Sequence, residues 1–289
     1  MMKAQKIKKV VIAAAGLGTR FLPITKTIPK EMLPVVDKPC IQYIVEEAIQ
    51  SGIKEIIIVT GKNKRAMEDY FDSSFELYYN LRKNKKFKEL RELEQLEKMA
   101  KFFYVRQLHP RGDGHAILCA KEIVDDEPFA VLFGDDFFDS KVPALKQLIN
   151  EYEHYNAPVV ALQKVPKEET NKYGIIAGKK ISERTFEINH FVEKPKVEEA
   201  PSDMAIVGKY IVTPELMRTL ATIKTAKKTE LKLINAMYEY VKNKPIYGID
   251  IEGERFDTGD KLGYLKAVVH FALKDEKLKD GFAKFLKSL

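Results

Sequence analysis

A glycine-containing loop and two basic side chains form the first group of residues suited to chemistry. Gly16-Leu17-Gly18-Thr19-Arg20 follows an apolar run, and Lys30 stands ten residues past Arg20 in the same loop. Glycine lets backbone amides approach a phosphate, Arg binds oxyanions as a fork, and Lys binds them as a point charge. The loop predicts a polyanion site, although a simple turn after a strand is the alternative. It is not a dinucleotide-binding or Walker A sequence, since Phe21 replaces the last glycine of the former and no Gly-Lys-Ser/Thr follows.

An acidic pair ends a second apolar run. Asp135 and Asp136 follow the apolar residues 129–133 and Gly134. Carboxylates at the carboxyl end of a strand, on the sheet edge that carries a phosphate loop, suit Mg²⁺, because this ion takes oxygen ligands and keeps phosphate oxygens in its shell. A turn or a helix cap is the alternative interpretation of the pair. Together with the glycine loop, Asp135 favours a magnesium-assisted reaction on a nucleotide.

The elements that must position these residues alternate as in an open α/β sheet. The apolar run in residues 9–14 predicts a strand buried on both faces. Residues 55–60 predict the next strand, and a helix of about 41–51 joins the two. Three later segments are predicted to be strands with no helix between them, at about 173–177, 186–193 and 205–212. We therefore expect a Rossmann-like α/β fold, with an open mixed sheet flanked by helices, in a single large domain of residues 1–289.

Two helical segments are added to this alternation. A charged stretch of about 74–100 predicts a helical insertion, and an amphipathic stretch of about 262–289 predicts one C-terminal helix. On this interpretation both segments expose apolar stripes. We therefore expect a homodimer or homotetramer, with the C-terminal helix as a candidate oligomerisation element.

The composition excludes several classes of protein. The chain has 289 residues, 45% hydrophobic and 31% charged, and no apolar run reaches the roughly 18 residues that a membrane-spanning helix needs. The net charge is +7, because acidic residues are nearly as numerous as basic ones. No segment interleaves Arg with aromatic residues as a surface that binds single-stranded nucleic acid would. We therefore expect no nucleic-acid or membrane partner. Cys40 and Cys119 lie in apolar helical patterns, which favours reduced thiols and a cytoplasmic protein.

Six motifs occur in an order that one family shares. They are Gly-Leu-Gly-Thr-Arg, Lys-Glu-Met-Leu-Pro-Val-Val-Asp-Lys-Pro, Gly-Asp-Gly-His-Ala, Val-Glu-Lys-Pro, Ala-Ile-Val-Gly-Lys-Tyr and Phe-Asp-Thr-Gly. With them the chain resembles the bacterial UTP–glucose-1-phosphate uridylyltransferases (UDP-glucose pyrophosphorylases) of the sugar-nucleotidyltransferase superfamily, over about residues 8–272. The resemblance implies a glycosyltransferase-A-like nucleotidyltransferase fold. It also implies Mg²⁺-assisted transfer of UMP from UTP to glucose 1-phosphate, which gives UDP-glucose and pyrophosphate.

The resemblance implies a role for each matching position. Three cations would bind phosphate groups. Arg20 would bind the leaving diphosphate, Lys30 the nucleotide phosphate and Lys194 the sugar phosphate. The nucleotide would contact Gly16, Leu17, Gly18, Glu31, Gln107 and Gly112, of which the last three would read the uracil edge. The glucose hydroxyls would contact Gly174, Glu193 and Gly208. The metal would be shared by Asp135 and Asp257.

The chain departs from the family pattern at one wall of the sugar site. The family often has Glu-Ile-Gln-Leu-Thr-Asp-Ala, whereas residues 230–236 here are Glu-Leu-Lys-Leu-Ile-Asn-Ala. The choice of hexose is therefore open. The alternatives are a nucleotidyltransferase for another nucleotide, such as dTTP, or another hexose 1-phosphate, and a sugar-nucleotide-binding homologue without catalysis.

Overall fold

The computed structural model describes residues 4–226 and 229–289, so residues 1–3 and 227–228 of the expected domain lie outside the described residues. The strands of the described part are β1 (Lys9–Ala13), β2 (Pro34–Val35), β3 (Lys38–Pro39), β4 (Glu55–Thr60), β5 (Lys101–Arg106), β6 (Phe129–Phe133), β7 (Asp136–Asp139), β8 (Val159–Lys164), β9 (Gly174–Lys180), β10 (Thr185–Glu193), β11 (Met204–Val212), β12 (Ile246–Asp250) and β13 (Glu254–Asp257). The α-helices of the described part are α1 (Cys40–Gln50), α2 (Arg65–Phe71), α3 (Phe75–Lys83), α4 (Phe87–Glu97), α5 (Asp113–Cys119), α6 (Lys121–Val124), α7 (Ala144–Tyr155), α8 (Pro214–Thr222), α9 (Leu233–Tyr240), α10 (Lys261–Lys274) and α11 (Lys279–Lys287).

Nine strands form one mixed sheet in the order β5-β4-β1-β6-β11-β8-β12-β10-β9. In this sheet β1 pairs in parallel with β4 and β6, and β4 pairs in parallel with β5. In contrast, β11 runs antiparallel to both β6 and β8. The ribbons β13–β7 and β2–β3 form two small additional sheets. The predicted open mixed sheet with flanking helices is confirmed.

The pattern of burial in β1 explains why its sequence is apolar from Val10 to Ala13. Val10 and Ile12 belong to the apolar cluster on one face of the sheet, and Val11 belongs to the cluster on the other face. Ile44 of α1 packs in the first cluster and Ile117 of α5 packs in the second. A strand covered on both faces lies inside the sheet, so its carboxyl end opens at the sheet edge where ligands bind in open α/β folds.

The predicted helical insertion of about 74–100 consists of two helices, α3 and α4, separated by a short turn. Lys85 in this turn has a φ of 57°, which is left-handed and ends the regular helical path. Among the described residues, no helix is long and apolar enough to cross a membrane.

The expectation of one C-terminal helix over about 262–289 is wrong, because α10 and α11 are separate. The break occurs at Asp275, whose Oδ1 accepts hydrogen bonds from the N–H groups of Lys277 and Leu278 at 2.8 and 3.0 Å. A side chain that binds nearby backbone amides competes with helix continuation. The amphipathic pattern therefore predicted correctly that the segment is helical, but it did not predict the turn between α10 and α11.

Candidate active site

The two predicted metal carboxylates come from segments that are far apart in the sequence. Asp135 lies between β6 and β7, and Asp257 ends β13. The strands β7 and β13 are antiparallel, with Asp257 opposite Asp136. The N–H and the hydroxyl of Thr258 donate to the carbonyl oxygen of Asp135 at 2.8 and 2.9 Å. This ribbon holds the segment around Asp257 against the carboxyl end of β6.

Asp135 and Asp257 face one small space beside Gly259. A Cβ atom placed on Gly259 would lie 2.5 Å from Oδ2 of Asp135 and 2.9 Å from Oδ1 of Asp257. Burial raises the pKa of Asp257, and the carboxylates of Asp136 and Asp135 raise it further against the opposing effect of Arg255. A divalent cation would relieve this repulsion between carboxylates.

The donor set fits a magnesium ion that completes its shell with substrate. Mg²⁺ is usually bound by one or two carboxylates together with phosphate oxygens and water. Over residues 4–226 and 229–289, no group of three or more His, Cys, Asp or Glu side chains is arranged to hold a metal. A pair of carboxylates beside a cavity lined by Arg20 and Lys30 is therefore the arrangement that this chain offers.

The glycine loop lies at the carboxyl end of β1, as predicted. Gly18 has a φ of 66°, and a Cβ atom there would lie 3.2 Å from Cγ2 of Thr25, so the turn favours glycine. The hydroxyl of Thr25 donates to the carbonyl of Gly18 at 2.8 Å and closes the loop. Together with Gly16 and Leu17, Gly18 lines a cavity of about 530 Å³, called here the nucleotide cavity.

Arg20 and Lys30 meet in the nucleotide cavity, as predicted for two cations that bind one polyanion. Nζ of Lys30 donates to Oδ2 of Asp135, and Nη1 of Arg20 donates to the carbonyl of Gly259 at 3.3 Å. Burial lowers the pKa of Lys30, but the carboxylates of Asp135 and Glu31 outweigh it, so the net shift is upward. Lys30 therefore stays charged beside the predicted metal ligands Asp135 and Asp257.

The three residues predicted to read the base differ in their placement. Gln107 and Gly112 line the nucleotide cavity, and Gly112 adopts a φ of 99° that favours glycine. Glu31 also belongs to this wall, but its side chain is fully buried and its Oε2 lies 2.5 Å from Nζ of Lys64. Its other oxygen has no hydrogen-bond partner among the described residues. The contact of Glu31 with a base stays a prediction, and the observed contact is with a buried lysine.

A second cavity of about 250 Å³ adjoins the first and is called here the sugar cavity. It is lined by all four residues predicted for the sugar and its phosphate, Gly174, Glu193, Lys194 and Gly208. The two cavities share four lining residues, Arg20, Asp113, Phe133 and Asp135. A ligand can therefore extend from one cavity into the other past Asp135.

Lys194 is held at the end of β10 in an unusual backbone conformation. Its φ is 49°, and its N–H donates to the carbonyl of Tyr173 at 3.0 Å. A left-handed residue other than glycine costs of order 1 kcal/mol or more and is kept where the surrounding structure enforces it. Lys172 in the same cavity pairs with Glu169, whereas in the described part of the chain no carboxylate pairs with Lys194. Lys194 is therefore available to an anionic ligand.

The segment that departs from the family pattern forms one wall of the sugar cavity. Nζ of Lys232 donates to Oε1 of Glu193 at 2.8 Å. Cδ1 of Ile234 would lie 2.9 Å from a Cβ atom on Gly174. The ammonium group of Lys232 thus contacts the carboxylate of Glu193, which is predicted to hold sugar hydroxyls. The side chain of Ile234 lies against Gly174.

Arg255 was not predicted; it lines the sugar cavity and contacts both Asp136 and Asp257. Its guanidinium donates to the carboxylate of Asp136 at 2.5–3.1 Å and lies 3.5 Å from Oδ2 of Asp257. It also lies 5.5 Å from the ring centroid of Tyr173. Oδ2 of Asp136 accepts a further bond from the N–H of Gly208 at 3.3 Å. The available sequence signal was an arginine two residues before Asp257, but a lone charge in a strand is also typical of an exposed face.

Replacing Arg255 with methionine is expected to destabilise the fold by about 3–5 kcal/mol. The reason is that the carboxyl group of Asp136, which is only 4% exposed, would be left buried without its main partner. Chemical denaturation measures this difference in the free energy of unfolding. The double variant Arg255→Met/Asp136→Asn removes the buried charge and should recover part of the loss. Equal stabilities of the wild type and Arg255→Met would contradict this role of the ion pair.

The mixed sheet, the glycine loop and the convergent aspartates define a nucleotidyltransferase. A sequence model of the nucleotidyl transferase family matches residues 9–273, and the chain belongs to this family. It is 49% identical to the UTP–glucose-1-phosphate uridylyltransferase of Staphylococcus haemolyticus, covering 99% of both chains. It is 45% identical to that of Bacillus subtilis, covering 99% of this chain and 98% of the other. Within the family it therefore groups with the UTP–glucose-1-phosphate uridylyltransferases, as the motifs predicted.

Solved structures support the same grouping. A UDP-glucose pyrophosphorylase complexed with UDP-glucose has 44% sequence identity and a TM-score of 0.83, covering 93% of this chain and 100% of that chain. The UTP-bound enzyme from Acinetobacter baumannii has 38% identity and a TM-score of 0.91, covering 98% and 99%. The predicted fold class is therefore confirmed.

Proposed function

We propose that this protein transfers UMP from UTP to glucose 1-phosphate, giving UDP-glucose and pyrophosphate. The observation that carries the proposal is that the nucleotide and sugar cavities share Arg20 and Asp135 in their linings. This shared wall would put a site for nucleotide phosphates beside a second anion site that contains Lys194. The relatives that share nearly the whole chain are named for this activity, and one solved relative is complexed with UDP-glucose.

The proposed reaction is a direct in-line displacement. A phosphate oxygen of glucose 1-phosphate attacks the α-phosphorus of UTP and forms the new P–O bond. The bond from the α-phosphorus to the bridging oxygen breaks, and its electron pair leaves with pyrophosphate. A phosphate monoester dianion is already nucleophilic, so the protein need not supply a general base. Its contributions are positioning and the neutralisation of charge.

Three cations would neutralise the reacting phosphates. Arg20 would bind the leaving diphosphate, Lys30 the nucleotide phosphates and Lys194 the sugar phosphate. Two unit charges about 4 Å apart repel by roughly 4 kcal/mol at an effective dielectric constant of about 20, so bringing two anions together needs such groups. The nucleotide would also contact Gly16, Leu17, Gly18, Glu31, Gln107 and Gly112. The sugar would contact Gly174, Glu193 and Gly208.

Members of the nucleotidyl transferase family generally use a divalent metal, and we propose Mg²⁺ for this chain. Asp135 and Asp257 would hold it, because their carboxylates face one space beside Gly259. When bound, the ion would offset charge on the nucleotide phosphates. Lys30 contacts Asp135 in the structure and would share the phosphates with the ion.

We further infer a single nucleotidyltransferase domain that acts in the cytoplasm as a homodimer or homotetramer. The match of the family over residues 9–273 supports one domain, and the free thiols of Cys40 and Cys119 support a reducing compartment. Exposed apolar side chains such as Phe75 of α3 and Phe285 of α11 support self-association. Light scattering on the purified protein measures the assembly, and a monomer at micromolar concentration would contradict it.

The function is tested by measuring pyrophosphate release over a panel of nucleotides and sugar phosphates, with and without Mg²⁺. The nucleotides are UTP, dTTP and CTP, and the sugars are the 1-phosphates of glucose, galactose and N-acetylglucosamine. We expect the highest kcat/KM for UTP with glucose 1-phosphate and no turnover without a divalent cation. A higher value for another pair would refute the assignment, and UDP-glucose binding without turnover would indicate a non-catalytic homologue.

The Lys232–Glu193 pair favours a second candidate, a uridylyltransferase for a different hexose 1-phosphate. The test variant is Lys232→Gln/Ile234→Thr/Asn235→Asp, which restores the family residues at these three positions and keeps Leu231. If the variant and the wild type prefer the same hexose, the altered segment does not set the choice. A changed preference would assign the choice of sugar to this wall.

A further inference from the structure

His115 forms a hydrogen-bonded pair with Gln107 in the wall of the nucleotide cavity. Gln107 lines this cavity and is only 6% exposed. Its Nε2 donates to the carbonyl of Gly112 at 3.1 Å and lies 2.9 Å from Nδ1 of His115. Because a carbonyl oxygen only accepts hydrogen bonds, the contact with Gly112 requires the NH₂ end of the amide on this side. Nδ1 of His115 is then the second acceptor, so its ring carries the proton on Nε2.

This arrangement leaves the carbonyl end of the Gln107 amide for a ligand. Its Oε1 accepts no hydrogen bond from any residue that the structure describes. An amide oxygen can accept the N3–H of uracil, whereas N3 of cytosine carries no proton and is itself an acceptor. The reversed amide would donate to N3 of cytosine. The orientation of one amide therefore distinguishes the two pyrimidines.

The surroundings of His115 keep its imidazole neutral. Burial lowers the pKa of His115, and Arg111 and His109 lower it further. The Sγ atom of Cys119 lies 3.9 Å from the same Nδ1. A protonated ring would turn Nδ1 into a donor that faces the NH₂ group of Gln107. The neutral ring preserves the acceptor that the observed orientation needs.

We propose that His115 is a positioning residue that sets the base selectivity of this protein by holding Gln107 with its carbonyl toward the base. The proposal rests on the proposed function, since it takes a uracil nucleotide as the occupant of the nucleotide cavity. A site built around one hydrogen-bond acceptor strongly rejects a base that lacks the matching donor, because buried polar groups are left unpaired. Without the acceptor on His115, Gln107 loses one of its two fixed contacts and its amide can turn.

The test compares His115→Asn with His115→Leu. Asparagine can offer an acceptor oxygen near the position of Nδ1, and leucine has a similar size without an acceptor. Calorimetry gives the Kd values for UDP and CDP, and steady-state kinetics gives kcat and the KM values for UTP and glucose 1-phosphate. We expect His115→Leu to reduce the preference for UDP over CDP by about tenfold and to raise KM for UTP. Its kcat and its KM for glucose 1-phosphate should change by less than about threefold.

The rescue by asparagine separates positioning from packing. His115→Asn should keep the preference for UDP within about threefold of the wild type. If His115→Leu does not fold, His115→Ala is the acceptor-free variant, since alanine is the residue best tolerated in a helix. An unchanged UDP preference in the acceptor-free variant would overturn the proposal, and so would an equal loss in His115→Asn. Failure of the proposed function is distinguishable, because the wild type itself would then not release pyrophosphate from UTP and glucose 1-phosphate.

Discussion

Lys194→Ala is expected to lower turnover with glucose 1-phosphate by about a hundredfold or more. In the described residues no carboxylate pairs with Lys194, so its charge is available to the phosphate of the sugar. Two phosphate groups must come together for the reaction, and a missing positive charge leaves their repulsion uncompensated at the site. The loss should appear in kcat as well as in KM, because negative charge also builds up in the transition state.

Steady-state kinetics with both substrates varied measures this effect. Lys172→Ala is the matched control, because Lys172 lines the same cavity but is ion-paired with Glu169 at 2.9 Å. The control should stay within about threefold of the wild type, as expected for an exposed ion pair. Near-wild-type turnover in Lys194→Ala would remove Lys194 from the catalytic residues.

Asp257→Asn is expected to abolish the response of activity to Mg²⁺ or to abolish activity altogether. Asparagine keeps the size of the side chain but removes one of the two charges that face the space beside Gly259. Burial, and then repulsion from Asp136 and Asp135, raises the pKa of Asp257 and so disfavours its charged form in the folded protein. A neutral asparagine avoids this cost, so the variant protein should fold at least as stably as the wild type. The defect would therefore lie in metal binding rather than in folding.

Titration with Mn²⁺ followed by electron paramagnetic resonance measures metal binding directly, apart from activity. Asp260→Asn provides the matched control. Oδ1 of Asp260 accepts from the N–H groups of Leu262 and Gly263 at 2.9 and 3.1 Å, and asparagine can make the same cap. The control should bind Mn²⁺ like the wild type. The same metal affinity in Asp257→Asn would exclude Asp257 as a ligand.

Much of the fold could be predicted because local sequence and tertiary environment agree. The run at 10–14 is apolar at every position because both faces of β1 are covered, and Gly18 is glycine because its turn is left-handed. The placement of Asp257 beside Asp135 could not be derived from spacing. It depends on the pairing of β13 with β7, which is a long-range contact between short strands. Only the resemblance to a family connected the two residues before the structure did.

Other features of the site and of the fold depend on contacts that leave no distinct pattern in the sequence. The guanidinium of Arg255 is identified as a buried ion-pair partner only once its contact with Asp136 is known. Similarly, His115 resembles an ordinary residue at the start of a helix until its contact with Gln107 is known. The break at Asp275 arises from a side-chain cap within an amphipathic pattern that continues on both sides.

The central claim is that Asp135 and Asp257 bind one divalent cation between the nucleotide and sugar cavities. Its most direct test is a crystal structure of the protein with Mn²⁺ and UDP-glucose, with anomalous diffraction used to locate the metal. The account predicts one anomalous peak in contact with oxygens of both carboxylates and of the UDP-glucose diphosphate. A peak that contacts neither carboxylate, or a metal bound elsewhere while UDP-glucose fills the two cavities, would contradict it.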